Sequence, residues 1–379
     1  MKKSLFIAWK NLLNNKLQSL LSILLIALGI GLISFVLLSK KDLVEKFEKN
    51  IKGVDLVVGA KGSPLQLILS TVFHIDDPTG NIDYDDYLKL KKNKLVKGIT
   101  PLSIGDNYRG KRIIGTDKSF LDLYHLNIQS GNVFHKSGDI ILGESVAKEF
   151  NLKVGQTIQS SHGFDADGHH HDNNLTIVGI LEKSGLVIDD ALITPYETIW
   201  ALHHGISNKR QITAGLIDFR SPMSMMQLPR HINENTNMQA ALPAYEKSRL
   251  IKLGAKVINR VKLIGYIIIL VAALSLLTNV LSISERKKGE LAYLRAIGFS
   301  RLEVATTLVS EIFMITILGV IAGLLFSRII VGVSNQAMIP ILPIKEEGVI
   351  GFLFLGLSLL ISCIPIYRIY KMDVIKGLD

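Results

Sequence analysis

Four apolar segments, each long enough to cross a lipid bilayer as a helix, constrain this 379-residue chain more than any other feature. A membrane-spanning helix needs about 20 consecutive, predominantly apolar residues. Segments of this kind lie at 20–38, 263–283, 308–331 and 349–367. The long stretch between the first and the second has the mixed polar composition of a soluble domain. The sequence therefore predicts a membrane protein with a domain inserted after its first span.

The composition supports this prediction. The chain is 48% hydrophobic and 20% charged, whereas soluble domains carry about 25% charged residues. Its single cysteine, Cys363, excludes a disulfide-bonded scaffold. The first apolar segment is longer than the roughly 7–15 apolar residues of a signal peptide and lacks a small-x-small cleavage site, so we expect an uncleaved anchor.

Basic residues beside the spans predict the orientation, because cytoplasmic segments of membrane proteins are rich in lysine and arginine. Such residues are concentrated in 1–19, 284–307 and 368–379. Both termini and the middle loop are therefore expected in the cytoplasm of a bacterium, and 40–262 outside its plasma membrane. The net charge of +10 thus reflects topology and does not indicate nucleic-acid binding.

Ionisable residues are absent from the middle of each predicted span. Glu311 and Arg328 lie near opposite ends of the third span. We expect their side chains to reach the membrane interface. Membrane lipid is therefore a further expected partner.

The inserted region shows short alternating strands with helices between them. The pattern predicts strands at 54–58 and 140–142, paired strands at 156–160 and 175–181, and helices at 83–96 and 145–150. Charged amphipathic stretches at 41–51 and 246–262 run directly into the first and second spans. They are expected to continue those spans as helical stalks.

The predicted fold is therefore an α-helical membrane protein with four transmembrane helices plus an α+β extracytoplasmic domain inserted between helices 1 and 2. The predicted segments are a cytoplasmic N-terminus with helix 1 (1–39), the extracytoplasmic domain with its stalks (40–262), helix 2 (263–283), a coupling loop (284–307), helix 3 (308–331), a short outer loop (332–348), helix 4 (349–367) and a cytoplasmic tail (368–379).

The segment SERKKGELAYLRAIGFSR (284–301), between the second and third spans, has the most informative pattern. Leu291, Leu294 and Ile297 recur every three residues, which indicates an apolar stripe on a short helix that Gly298 can end. Such a helix, held parallel to the membrane, is suited to insert into a cleft on a cytoplasmic partner. A basic interfacial helix that only binds anionic lipid would show the same pattern.

This segment resembles the cytoplasmic signature of the MacB/FtsX superfamily of ABC transporter permeases, in which E-R-x-x-E-[IL]-x-x-[LM]-[RK]-[AS]-[LI]-G follows the second span. The chain departs from it by one extra residue, Gly289, before Glu290. Other stretches that resemble the family are AWKNLLNNKLQSLLSILLIALGIGLIS, DIILGESVAKEFNLKVGQTI, LTIVGIL, ALITPYETIW and PIYRIYKMDVIKGL.

The resemblance implies a permease that works as a dimer, bound to two cytoplasmic ATPase subunits, and that transmits ATP-driven motion to its outer domain. An extracytoplasmic adaptor or substrate-binding protein is a further expected partner. The residues expected to contact the ATPase are Glu285, Arg286, Glu290, Leu291, Leu294, Arg295 and Gly298. The chain has no G-x-x-x-x-G-K-[ST] phosphate loop, so we expect ATP on the partner, no enzymatic activity here, and no cofactor bound for catalysis.

A histidine-rich loop, SHGFDADGHHHDNN (161–174), extends a hairpin that turns over in a few residues in the family. Its imidazole and carboxylate groups suit zinc, with nickel or copper as alternatives. The candidate metal ligands are His162, Asp165, Asp167, His169, His170, His171 and Asp172. The alternative is a solvated loop that binds metal only weakly. Either His74 or the pair His203-His204 is a candidate to complete a metal site, but each alone is more typical of a polar surface residue.

Two functional classes stay open from the sequence. The first is the permease subunit of an ABC complex that exports or extracts a substrate, or moves an extracytoplasmic partner, with zinc as cargo or signal. The second is a non-transporting sensor that binds metal or another ligand outside and recruits a cytoplasmic partner. A zinc hydrolase is disfavoured because no H-E-x-x-H motif and no catalytic base accompany the histidines.

Overall fold

The computed structural model describes residues 2–162, 170–203, 210–286, 300–335 and 345–371. The chain divides into two compact units. The membrane unit comprises residues 1–44 and 253–379, and the inserted domain comprises residues 45–252. The chain starts with a short helix, α1 (Lys2–Asn14), followed by the long helix α2 (Lys16–Asn50).

The inserted domain is a mixed α/β structure. Its strands are β1 (Leu56–Ala60), β2 (Ile82–Asp83), β3 (Val96–Tyr108), β4 (Lys111–Thr116), β5 (Ile128–Gly131), β6 (Asp139–Leu142), β7 (Thr157–His162), β8 (His170–Leu181), β9 (Leu192–Pro195), β10 (Gln211–Ile212), β11 (Ala214–Phe219) and β12 (Met238–Ala241). Its helices are α3 (Pro64–Thr71), α4 (Tyr84–Lys91), α5 (Lys118–Leu123), α6 (Glu144–Glu149), α7 (Tyr196–Leu202) and α8 (Pro222–Asn235), with a 3₁₀ turn at Val187–Asp190.

The main sheet has the strand order β12-β1-β11-β3-β4-β9-β6-β8-β5, and β7 pairs with both β3 and β8. The pairings β3–β4, β4–β9, β9–β6, β6–β8, β8–β7 and β7–β3 therefore close a ring of six strands. Strand β3 links the two parts of the sheet, because its first half pairs with β11 and its second half with β4 and β7.

Alternate residues of the central strands enter different hydrophobic clusters. On β4, Ile114 packs with Ile141 and Ile193, whereas Ile113 packs with Ile140 and Leu192. Consecutive branched aliphatic residues are typical of strands that are buried on both faces. The apolar runs of the inserted region thus explain why these strands lie at the centre of the domain.

The predicted elements of this domain are largely confirmed. The strands at 140–142 and at 156–160 and 175–181 are present, and the last two pair with each other. The strand predicted at 54–58 begins at Leu56 and continues to Ala60. The helix predicted at 83–96 was too long, since α4 ends at Lys91 and Val96 already begins β3.

Three long helices follow the inserted domain: α9 (Pro243–Arg286), α10 (Arg301–Asn335) and α11 (Lys345–Lys371). With α2, they are the helices long and apolar enough to cross a membrane among the described residues, which confirms the four predicted spans. The predicted stalks are also helical, since 41–51 falls largely within α2 and 246–262 within α9.

Candidate functional site

The residues expected to contact an ATPase lie at and beyond the C-terminal end of α9. Glu285 and Arg286 are the last two residues of that helix. Glu290, Leu291, Leu294, Arg295 and Gly298 lie outside the described residues. A helix that contacts the ATPase at 284–301 therefore stays a prediction.

Helix α2 is the most enclosed of the four spans, because half of its most apolar stretch is buried inside the protein. On one side, a Cβ atom at Gly29 would lie 2.7 Å from Cγ1 of Ile269 on α9. On another side, a Cβ atom at Gly323 of α10 would lie 2.7 Å from the carbonyl oxygen of Ala27 and 3.0 Å from the amide nitrogen of Gly31. Glycine thus permits close contact of α2 with both neighbours, as is common between membrane helices.

A group of polar side chains, here called the polar clamp, joins α2, α10 and α11. It consists of Ser34, Ser327, Arg328 and Glu347. Arg328 forms two hydrogen bonds with Glu347, Nη2 to Oε2 at 2.6 Å and Nη1 to Oε1 at 3.0 Å. The Ser34 hydroxyl donates a hydrogen bond to Glu347 Oε1. Oγ of Ser34 also lies 2.5 Å from Oγ of Ser327.

The polar clamp shows that the Arg328 side chain is directed into the protein, while its level relative to the membrane interface stays a prediction. The Arg328 side chain is 12% exposed and that of Glu347 is 1% exposed, so both charges are directed into the protein. A charge in an apolar environment is costly unless a partner and hydrogen bonds compensate it. The bidentate contact and the serine hydroxyls provide that compensation within one unit.

Glu311, the second charged residue of this span, is also buried, with 2% of its surface exposed. Asn11 of α1 donates a hydrogen bond from Nδ2 to Glu311 Oε2 at 3.3 Å. The residues Ser4, Ala8 and Leu12 recur every four positions and are buried, while Phe6 and Trp9 are exposed. Helix α1 packs against α10 through that buried stripe, a contact that the sequence did not reveal.

The histidine-rich segment forms less of a loop than expected. His162 is the last residue of β7, and His170, His171 and Asp172 belong to β8. The pairing continues to Ser161 opposite His170, which extends both strands beyond the predicted ends. Asp165, Asp167 and His169 lie outside the described residues. We refer to β7, β8 and the residues between them as the histidine hairpin.

His203 is not the isolated surface residue that the sequence suggested. Its Nε2 atom lies 3.2 and 3.1 Å from the two carboxylate oxygens of Asp106, which is completely buried. The hydrogen bond to Asp106 raises the pKa of His203, while partial burial of the ring opposes that change. His204 lies outside the described residues.

His74 has a different environment. Burial of its ring lowers its pKa from 6.5 to about 4. A hydrogen bond with the backbone of Ser70 opposes this change, and the nearby positive charge of Arg112 adds to it. Its backbone adopts φ 54°, and Nδ1 is enclosed without a hydrogen-bond partner among the described residues. No group of three or more histidine, cysteine, aspartate or glutamate side chains in the described ranges is arranged to hold a metal ion.

Two family profiles match the chain. The profile of the MacB-like periplasmic core domain matches residues 19–233, which is more than half of the chain, and the profile of the FtsX-like permease C-terminal domain matches residues 262–374. The first match includes most of α2 and most of the inserted domain, and the second includes the C-terminal part of α9, α10 and α11. A comparison with curated protein sequences found no significant match.

Similar solved structures include the periplasmic region of MacB from Actinobacillus actinomycetemcomitans. It shares 14% identity over 54% of this chain and 97% of that one, with a TM-score of 0.36. Another is the extracellular domain of the noncanonic ABC-type transporter YknZ from Gram-positive bacteria. It shares 14% identity over 49% of this chain and 98% of that one, with a TM-score of 0.33.

Proposed function

Since the chain belongs to the MacB/FtsX family of ABC transporter permeases, we propose that it couples ATP hydrolysis on a separate ATPase chain to movement of its extracytoplasmic domain. The observation that carries this proposal is the continuity of α9. This helix begins at Pro243, in the inserted domain, and runs without interruption to Arg286, where the predicted coupling residues follow. A displacement at its C-terminal end is thereby passed along hydrogen-bonded backbone.

The polar clamp and the glycine contacts support the same proposal. They join α2 to α9, α10 and α11 within the membrane unit. Helix α2, like α9, extends into the inserted domain. Packed helices transmit small displacements because tightly packed interfaces do not deform continuously. In this proposal the orientation follows the positive-inside pattern, with both termini cytoplasmic and residues 40–262 outside.

The test is association with an ATPase. We expect an ABC ATPase to co-purify with the full chain extracted from its native membrane, and Leu294→Asp to abolish that association because it places a charge on the apolar stripe. Leu294→Met is the matched control, since it keeps the stripe apolar. Trp200 fluorescence reports whether the inserted domain stays folded. Unchanged recovery of the ATPase with Leu294→Asp would contradict the proposed interface.

We further propose that zinc is the cargo or the signal of this permease. The support is the chemistry of the histidine hairpin, where imidazole and carboxylate groups of the type that zinc prefers are concentrated. The proposed ligands are drawn from His162, Asp165, Asp167, His169, His170, His171 and Asp172. Zinc would stabilise one arrangement of the hairpin, and that arrangement would alter the movement that ATP hydrolysis drives.

The zinc proposal is tested by the ATPase activity of the full complex at controlled free zinc. We expect zinc to change the rate in the wild type, and this response to be lost when the four hairpin histidines at 162, 169, 170 and 171 are replaced by alanine. An unchanged zinc response in that variant would remove the hairpin from the proposal. Lipid, lipoprotein and small toxic molecules would then be the substrate classes to test.

A non-transporting sensor is the second candidate, and the same hairpin favours it. The two functions differ in what the cytoplasmic partner does. A transporter subunit binds its ATPase throughout a nucleotide-dependent cycle, whereas a sensor recruits a partner in response to external ligand alone. Co-purification at fixed zinc, with and without ATP, distinguishes them.

A further inference from the structure

We propose that α1 is a docking surface for anionic phospholipid headgroups, in the leaflet that meets the N-terminal end of α2. The inference concerns the exposed side of α1, which is turned away from the stripe that packs against α10. It requires that α2 spans the membrane. It depends neither on coupling to an ATPase nor on zinc.

The exposed side of α1 is apolar and partly aromatic. Leu5, Phe6, Trp9 and Leu13 are each between 42% and 63% exposed. An amphipathic helix of a soluble protein turns such side chains toward the core and its polar side chains toward water. Contiguous exposed apolar surface is instead typical of a site that contacts a membrane or another protein. The exposed side of α1 is therefore suited to one of these two occupants.

This apolar side continues into the first span. Backbone hydrogen bonds cross the junction of α1 and α2, from the N–H of Asn15 to Asn11 and from the N–H of Ser19 to Asn15, both at 3.0 Å. Residues three or four positions apart share a face of a helix. Exposed leucines recur at that spacing along the first half of α2, at positions 17, 20, 21, 24 and 28. Since lipid tails are as apolar as leucine, lipid suits both the exposed leucines of this span and the side of α1 that precedes them.

The contacts of α1 place it at the edge of a second span. Thr306 donates a hydrogen bond to Oγ of Ser4 at 3.3 Å, and Asn11 donates one to Glu311. The two partners on α10 lie on either side of residue 308, where the third predicted span begins. The ends of a membrane span lie where the hydrocarbon core meets the headgroups. Helix α1 is thus at the level of the headgroups.

Basic residues accompany the aromatic ones at this level. Residues 1–19 contain four lysines, at positions 2, 3, 10 and 16, and no aspartate or glutamate. Nζ of Lys10 lies 5.8 Å from the ring centre of Phe6, so an ammonium group adjoins the aromatic side of the helix. Helices that lie in the membrane interface combine Trp, Phe and Leu on one side with lysine on the other.

The charge favours anionic lipid over a protein as the occupant. Anionic headgroups attract lysines that lie beside a membrane span. A bilayer offers hydrocarbon and negative charge next to each other, which matches the neighbouring Phe6 and Lys10. A protein partner would need an apolar groove with an acidic rim, placed at the same depth. In the proposed orientation the headgroups belong to the cytoplasmic leaflet.

Trp9 is the probe of this contact. In Trp200→Phe it is the sole tryptophan of the chain, and bromine atoms on lipid acyl chains quench tryptophan fluorescence on contact. We would reconstitute the full-length Trp200→Phe protein in nanodiscs with equal amounts of phosphatidylcholine and phosphatidylglycerol. In one preparation only the phosphatidylglycerol is brominated, and in the other only the phosphatidylcholine. The headgroup composition is therefore identical, and the two preparations differ only in which lipid carries the quencher.

Two perturbations test the lysines. The first is a four-glutamine variant, which retains side chains that favour a helix: Lys2→Gln, Lys3→Gln, Lys10→Gln and Lys16→Gln. Its matched control changes four exposed lysines of the inserted domain: Lys92→Gln, Lys94→Gln, Lys118→Gln and Lys153→Gln. The second perturbation leaves the lysines unchanged and raises the salt concentration to about 1 M, where screening limits electrostatic attraction to about 3 Å.

We expect both lipids to quench Trp9, and brominated phosphatidylglycerol to do so about two to five times more strongly. The preference should disappear in the four-glutamine variant and at high salt. Quenching by phosphatidylcholine should persist in both cases, because the apolar side of α1 stays in contact with lipid. The matched control should retain the full preference.

Three results would overturn the proposal. Equal quenching by the two lipids would show that α1 contacts lipid without selecting its headgroup. No quenching by either lipid would indicate that a protein covers this side of α1. A preference that persists in the four-glutamine variant would show that other residues select the headgroup. If that variant cannot be reconstituted, the salt dependence decides, since a preference unchanged by salt would contradict a role of the lysines. None of these results bears on coupling to an ATPase, which Leu294→Asp tests separately.

Discussion

The two units of this permease are stabilised by different interactions. The inserted domain buries branched aliphatic side chains completely, among them Ile113, Ile114 and Ile140. In the membrane unit many large apolar side chains stay on the surface, including Phe352 at 77% and Leu360 at 68% exposure. Since lipid is as apolar as leucine, burying leucine between membrane helices gains little. The membrane helices do bury a smaller cluster that includes Ile26, Ile30 and Phe354, and glycine contacts and the polar clamp add close approach and hydrogen bonds between them.

The stability of each unit can be measured separately, because each contains one of the two tryptophans of the chain. Trp9 belongs to the membrane unit and Trp200 to the inserted domain. Trp200→Phe leaves a reporter of the membrane unit, and Trp9→Phe leaves a reporter of the inserted domain. Every variant below is compared with its parent in the appropriate background.

The largest effect is expected from Arg328→Met, which removes the cation of the polar clamp. The Glu347 carboxylate would then be buried without its ionic partner, and breaking a buried pair in this way costs about 3–5 kcal/mol. Unfolding of the membrane unit in mixed micelles, followed by Trp9 fluorescence, should shift to lower denaturant, whereas the Trp200 signal should not shift.

The double variant Arg328→Met, Glu347→Gln is the control for that prediction. It removes both charges, so no uncompensated charge stays buried, and it should recover most of the lost stability. If the double variant is as unstable as the single one, the clamp acts through shape rather than charge. If neither variant is destabilised, hydrogen bonding does not define the packing of the membrane helices.

The next effect is expected from Ile140→Ala in the inserted domain. Ile140 is completely buried, and such a truncation costs about 2–5 kcal/mol through lost burial and the cavity it leaves. The Trp200 unfolding transition should move accordingly. Leu360→Ala in the membrane unit is the contrasting variant, because this side chain is 68% exposed and should contribute almost nothing to the Trp9 transition. Equal effects at the two sites would contradict the comparison.

Two glycine-to-alanine substitutions in the membrane unit should have smaller effects on its stability, and the two effects should differ in sign. Gly323→Ala places a Cβ atom 2.7 Å from the backbone oxygen of Ala27, so α2 and α10 must separate, at a cost of about 1–3 kcal/mol. Gly356→Ala on α11 meets no described atom within 4 Å. It should be neutral or stabilising, by up to about 1 kcal/mol, because alanine favours the helix. Trp9 unfolding measures both.

These predictions concern contacts that the sequence did not identify, although it predicted the architecture. Span lengths and strand patterns are local properties, so they could be read along the chain. The polar clamp could not, because Glu347 was assigned to a short outer loop, whereas α11 already begins at Lys345. Only the packing of α2, α10 and α11 brings Ser34, Arg328 and Glu347 together.

The pair Asp106 and His203 illustrates the same limit in the inserted domain. The two residues are 97 positions apart, and their contact depends on the packing of α7 against the sheet. One signal was available, since Asp106 follows an apolar run in the sequence and a carboxylate in such a strand must have a partner if it is buried. That signal indicates that a partner exists but does not identify His203.

The smallest effect on stability is expected from His74 in the inserted domain. It sharpens the comparison of the two units, because His74 is an ionisable group that is buried without a charged partner of opposite sign. The polar clamp keeps two opposite charges together, whereas His74 is accommodated by staying neutral, with its pKa lowered from 6.5 to about 4. Between these two values the unfolded chain binds a proton that the folded domain does not. Stability of the inserted domain should therefore fall as the pH decreases from 7 to 5, by about 1–2 kcal/mol from this residue.

The variant that isolates this contribution is His74→Asn. Asparagine tolerates the left-handed backbone at this position and does not titrate. Its absolute stability can differ from that of the parent, so the measured quantity is the change in the Trp200 unfolding free energy between pH 7 and pH 5. That change should be smaller in His74→Asn, because all other titrating groups contribute equally to both proteins. An identical pH dependence would show that His74 is protonated in the folded domain as readily as in the unfolded chain.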